Sequence, residues 1–138
     1  MFILIQGRVD ARNGDTMVLD SVVGHRKTFE ALMAFLSSGD EVIELAAAGT
    51  CHLCPDWPTL RTFRMVKNDG RLKTEEAPGG VLQVSGRPAL LSRYAQEFVF
   101  DSAQDGAHRH PEYALAASND LDPTSDSIII EVDAAVAG

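Results

Sequence analysis

Phe29, Leu32, Met33 and Leu36 recur at the i, i+3, i+4 and i+7 spacing that lines one face of a helix. Leu91, Tyr94, Ala95 and Phe98 repeat the same spacing 62 positions later. The first stripe predicts a helix from about Lys27 to Ser38, ended by Gly39, and the second a helix that starts at Ser85-Gly86-Arg87-Pro88. Around these stripes lie short runs of strand character: Phe2 to Val9, Thr16 to Leu19, Val42 to Leu45, Leu60 to Val66, Val81 to Val84 and Ile128 to Val132. Turn chemistry separates them, with Asn13-Gly14-Asp15 completing an opening hairpin and Asn68-Asp69-Gly70 and Pro78-Gly79-Gly80 breaking the middle of the chain. Two helical stripes cannot bury themselves, so the economical fold is α+β: a mostly antiparallel sheet with both amphipathic helices on one face. The shared offset, which also relates Val23-Gly24 to Ser85-Gly86, suggests two pseudo-repeated strand-helix-strand halves, 1–77 and 78–138.

At 138 residues, one domain spanning 1–138 is expected, and 45% hydrophobic with 23% charged residues is an ordinary globular balance. The net charge of −8 opposes direct binding to nucleic acid, because neutralising phosphates needs clustered cations. The longest uncharged stretch, Leu45 to Pro55, falls well short of a membrane span. The opening Met1-Phe2-Ile3-Leu4-Ile5 has no basic lead-in, unlike a secretory signal, so a cytoplasmic location is expected.

Cys51 and Cys54, the only cysteines, stand at the C-x-x-C spacing that chelates a metal or closes a redox disulfide. Pro55 and Pro58 crowd the helix whose N-terminus would normally lower a thiol pKa there. His108 and His110 are two apart, which on a strand puts both imidazoles on one face. If the two pairs meet, they form a closed Cys₂His₂ zinc site of structural type. The plainer alternatives are small side chains in a loop and histidines bonded to backbone or carboxylates. No phosphate loop, nucleophile elbow or H-E-x-x-H motif is present, so no enzyme reading stands beyond the cysteine pair.

The acid is uneven. From Asp101 onward, Asp101, Asp105, Glu112, Asp120, Asp122, Asp126, Glu131 and Asp133 face only Arg109, which accounts for seven of the eight net negative charges. Such a patch steers a basic partner, and its plain alternative is solubility.

Four pieces of the C-terminal half come in a recognisable order: Val84-Ser85-Gly86, the Leu90-Leu91 to Phe98 stripe, Gly106-Ala107-His108-Arg109-His110, and Ser125-Asp126-Ser127-Ile128-Ile129-Ile130-Glu131. In this order they resemble the small bacterial immunity proteins known as immunity protein 32, over Val81 to Val132 only. His110 is followed by Pro111-Glu112 where that pattern has Leu-Asp, and residues 1–80 have no counterpart in it. The resemblance implies a non-catalytic protein that binds and neutralises a cognate polymorphic toxin. In that setting Asp101, Asp105, His108, His110, Glu112, Asp120, Asp122 and Asp126 are the expected partner-binding set. Asp120, Asp122 and Asp126 would cover a basic cleft of the toxin.

Overall fold

The computed structural model describes residues 6–9, 16–47, 60–101, 107–114 and 119–132. The Asn13-Gly14-Asp15 turn, the loop holding Cys51, Cys54 and Trp57, Asp105, and the tail from Asp133 lie outside the described residues.

The fold is α+β, with two α-helices and eight strands among the described residues. In chain order these are β1 (Gln6–Val9), β2 (Thr16–Asp20), α1 (Val22–Leu36), β3 (Val42–Ala46), β4 (Thr62–Lys67), β5 (Lys73–Ala77), β6 (Val81–Gly86), α2 (Pro88–Ala95), β7 (His108–Arg109) and β8 (Ile128–Val132). The strands form two sheets, ordered β1-β2-β8-β7 and β3-β4-β6-β5. Four pairings are antiparallel and two, β2 with β8 and β4 with β6, are parallel. Antiparallel pairing therefore predominates, but each sheet is centred on a parallel pair that joins the two halves of the chain.

The order hairpin, helix, hairpin occurs twice, once from β1 to β4 and once from β5 to β8. Each sheet takes the first hairpin of one unit and the last of the other. The buried positions Gly24, His25, Thr28 and Leu32 of α1 match Leu90, Leu91, Tyr94 and Phe98 in the second unit. This correspondence is one helical turn away from the one the apolar stripes predict. The reason is that α1 turns a face bearing glycine, histidine and threonine to the core, while Phe29, Met33 and Leu36 of its apolar stripe are only half-buried.

One hydrophobic cluster unites both sheets and both helices, with Val18, Leu32, Phe63, Leu82, Tyr94 and Ile130 among its fully buried members. On β8, Ile128, Ile130 and Val132 face this core, and Ile129 packs with Met17 and Leu19 on the other side of the sheet. Helix α1 is closed at both ends by side chains. Ser21 is its N-cap, its hydroxyl accepting from the Gly24 N–H at 3.0 Å. At the other end the Lys67 ammonium on β4 donates to the Phe35 and Ser38 carbonyls at 3.0 and 2.8 Å. The outer face of the second sheet carries a row of polar side chains across all four strands: Glu44, Arg64, Gln83 and Glu75. Such cross-strand pairs fix register on a face that water reaches.

Candidate functional site

Residues 119–127, between β7 and β8, form a strap along the outer edge of β5. Leu121 makes a parallel bridge to Leu72, in which Leu72 N–H donates to Asp120 O at 2.7 Å and Asp122 N–H to Leu72 O at 2.8 Å. Further along, Asp126 N–H donates to Thr74 O at 2.7 Å, and the Thr74 hydroxyl donates to Asp126 O at 2.6 Å. One Asp126 carboxylate oxygen accepts from Glu76 N–H at 2.8 Å. The strap therefore occupies an edge that would otherwise present unpaired backbone groups. Gly86 makes room beneath it: with φ at +153°, it passes so close to Leu72 that a Cβ would stand 3.1 Å from Leu72 Cα.

The turn in the strap is built by Asp122-Pro123-Thr124. The Asp122 carboxylate accepts from the Thr124 N–H at 2.8 Å and from its hydroxyl at 2.6 Å, an Asx-type turn. These bonds hold the Asp122 carboxyl below the usual carboxylate range, so it stays charged. Asp120 is spoken for: its carboxylate pairs with Arg87 at 2.6 Å and lies 3.9 Å from Arg93. Among the described residues no salt bridge within 4 Å holds Asp122 or Asp126, although Lys73 and Arg71 lie near enough to Asp122 to favour its charge, and Asp126 is exposed.

The other expected partner-binding residues are scattered in character. Asp101 is exposed, just after the short 3-10 turn that extends α2. Glu112 is buried, its carboxylate accepting from the Ser127 hydroxyl at 3.0 Å, so it faces the interior and not a partner. Burial, with Glu112 and then Glu97 nearby, pushes the Tyr94 hydroxyl pKa up, which keeps Tyr94 neutral in the core. Burial also raises the Glu97 carboxyl, against the opposing pull of Arg109, which packs over the Phe100 ring at 4.7 Å.

His108 and His110 do come together. Their rings meet edge to face with centroids 5.4 Å apart, His108 exposed and His110 half-buried. Among the described residues no three His, Cys, Asp or Glu side chains converge as metal ligands, and Cys51 and Cys54 lie outside those residues.

The spacing arguments miss a buried polar group at the start of α1. Asp20 is fully buried, with one carboxylate oxygen accepting from Ser21 N–H at 2.8 Å and the other without a partner among the described residues. Burial pushes its pKa from 3.8 up to about 7, against the Ser21 bonds and Lys27. His25, also fully buried, donates from Nε2 to the Glu131 carbonyl at 2.7 Å and lies beside the Phe98 and Phe100 rings. Burial lowers its pKa from 6.5 to about 4, so the ring is neutral and Nδ1 is an unprotonated acceptor. A carboxylate directly after the apolar run Met17-Val18-Leu19 is the available signal for this group.

No helix among the described residues is long and apolar enough to cross a membrane. No known protein family, curated protein or solved structure matches the chain.

Proposed function

We propose that this chain is a non-catalytic, cytoplasmic immunity-type protein that neutralises a cognate bacterial toxin by tight binding through its acidic strap. The observation that carries this reading is the fastening of the strap to β5 at Leu72, Thr74 and Glu76, which sets Asp122 and Asp126 in place before any partner arrives. Ordering costs are then met within the fold and not at the interface, which favours affinity. Asp122 is held in its charged form, so the negative field of the strap persists into mildly acidic conditions and speeds capture of a basic surface. The resemblance of Val81 to Val132 to immunity proteins supports the same reading.

The test is capture of partners from native lysate at low and high salt, with the wild-type chain and the Asp122→Lys/Asp126→Lys variant in parallel. One stoichiometric basic protein is expected, held at low salt, released at high salt and bound by the variant with an on-rate reduced about tenfold or more. The Lys variant also loses the Asp122 bonds to Thr124 and the Asp126 bond to Glu76, so Asp122→Asn/Asp126→Asn, whose amide oxygens keep those acceptors, is run beside it. A reduced on-rate in both variants assigns the effect to charge and not to a loosened strap. No such partner, or one that the Lys variant captures equally fast, removes the strap from the account.

The close approach of the His108 and His110 rings favours one other reading, a small zinc-binding or thiol-redox protein using Cys51 and Cys54. Replacing both cysteines with Ser separates the two. Zinc uptake or thiol exchange is lost under the second reading, and toxin binding stays intact under the first.

A further inference from the structure

We propose that the open edge of β3 is a second docking site, one that takes an extended cationic segment of a partner protein as a further strand of the second sheet. The phase of the β3–β4 ladder decides which groups are free. Lys67 N–H donates to Glu41 O at 2.9 Å and Ala47 N–H to Arg61 O at 2.8 Å, so the odd-numbered residues of β3 bond to β4. Val42, Glu44 and Ala46 therefore turn their backbone N–H and C=O groups outward. The opposite edge of the same sheet is closed by the strap, whereas among the described residues nothing pairs with β3 on this side. The exposed strand carries no Lys, Pro or bulge that would blunt it.

Beside this edge an open groove of about 260 Å³ runs between β3 and α1. Ala31, Ala34, Phe35, Val42 and Ile43 line it, and the two alanines of α1 are what leave it unfilled. Val42 is 48% exposed, unusual for a large apolar side chain in this molecule. A strand added at β3 continues the sheet over the groove, and every second side chain then enters it.

Charge identifies the occupant. Asp40, Glu41 and Asp69 line an adjoining cavity of about 280 Å³ at the start of β3. Two cations close to this mouth are engaged within the chain, Lys67 on the Phe35 and Ser38 carbonyls and Arg64 on Glu44. A segment alternating Arg or Lys with aliphatic residues matches both the groove and the acidic mouth. A second copy of β3 does not, because residues 40–47 hold no Lys or Arg to bring to the acidic mouth. This surface belongs to the first half of the chain and stands whether or not the strap binds a toxin.

The probe is a capped synthetic hexapeptide alternating Arg and Val, added to the full chain and followed by amide hydrogen exchange in NMR spectra. Exchange at Val42, Glu44 and Ala46 slows, while Ile43 and Leu45, already bonded to β4, do not change. Ala34→Trp fills the groove from an exposed helix position and Val42→Lys adds a repelling cation, and either weakens the peptide about tenfold or more. A hexapeptide with Glu for Arg does not bind. The proposal is overturned by even protection along β3, by indifference to both substitutions, by perturbations at Asp122 and Asp126 instead, or by no binding up to about 1 mM.

Discussion

Gly24→Ala is expected to lower stability by about 2 kcal/mol or more, although in an exposed helix the same change gains close to 1 kcal/mol. The added methyl would fall on the carboxyl group of Asp20, meeting both oxygens and the carbon between them. Asp20 has no room to retreat, because β2 is fixed by β1 on one side and β8 on the other and the residue is fully buried. Moving the carboxyl also breaks its bonds to the Ser21 N–H and hydroxyl, which set the entry into α1. Gly39→Ala is the control: open space surrounds that position, and the substitution should be neutral or slightly stabilising. Chemical denaturation of both variants checks the pair. Equal stabilities would mean that Asp20 does not pack on Gly24. Adding Asp20→Ala to Gly24→Ala should recover part of the loss, since the two changes share one contact.

The second large effect is a pair of opposed pH dependences within one stretch of six residues, Asp20 to His25. Asp20, raised to about 7, keeps its proton in the folded chain at pH values where the unfolded chain has lost it. Its contribution to stability is therefore full below pH 3.8 and is lost as pH rises through 7. His25, lowered to about 4, refuses a proton that the unfolded chain accepts, so its contribution is full above pH 6.5 and is lost as pH falls through 4. Asp20→Asn removes the first dependence, and its stability relative to wild type should grow by about 3 kcal/mol between pH 5 and pH 9. His25→Gln removes the second. Its deficit relative to wild type should narrow as pH falls from 6.5 towards 4. Denaturation curves across this range read both slopes, and a constant offset in either variant would contradict the burial of that group.

The elements legible in the sequence are those whose side chains alternate or repeat at a clean period. Ile128–Val132 is the strand its β-branched residues predict, Pro88 opens α2 as a proline at a first helical turn should, and the Asn68-Asp69-Gly70 turn falls between β4 and β5. Helix α1 begins at Val22, well before the expected Lys27, because two valines and a glycine read as poor helix formers. What starts the helix there is the Ser21 cap and the seat of Gly24 on Asp20, a contact that no local pattern announces. Strand β5, Lys73–Ala77, is not legible as Lys-Thr-Glu-Glu-Ala because charges fall on both of its faces, Lys73 and Glu75 on the outer one and Glu76 beside buried Thr74, and its pairing comes from β6 and the strap. The division into two sheets was hidden for a similar reason. Parallel pairs between distant strands leave no trace in periodicity, since each strand shows only which of its faces is buried. Of the candidate site, the acidic run before β8 was plain, but the inward turn of Glu112 and the capture of Asp120 by Arg87 depend on partners far along the chain.

The exchange of hairpins between the two sheets has a consequence for how the molecule can be made. A chain emerging from the ribosome can complete neither sheet from its first unit alone, because β4 waits for β6, and β2 waits for β8. Until then the growing chain carries two bare strand edges and a half-built core, and it is exposed to chaperones and proteases. The dependence also works in reverse. A cut in the Asn68-Asp69-Gly70 turn would leave two pieces, each holding half of both sheets and neither able to close one, so that each piece becomes the template on which the other folds.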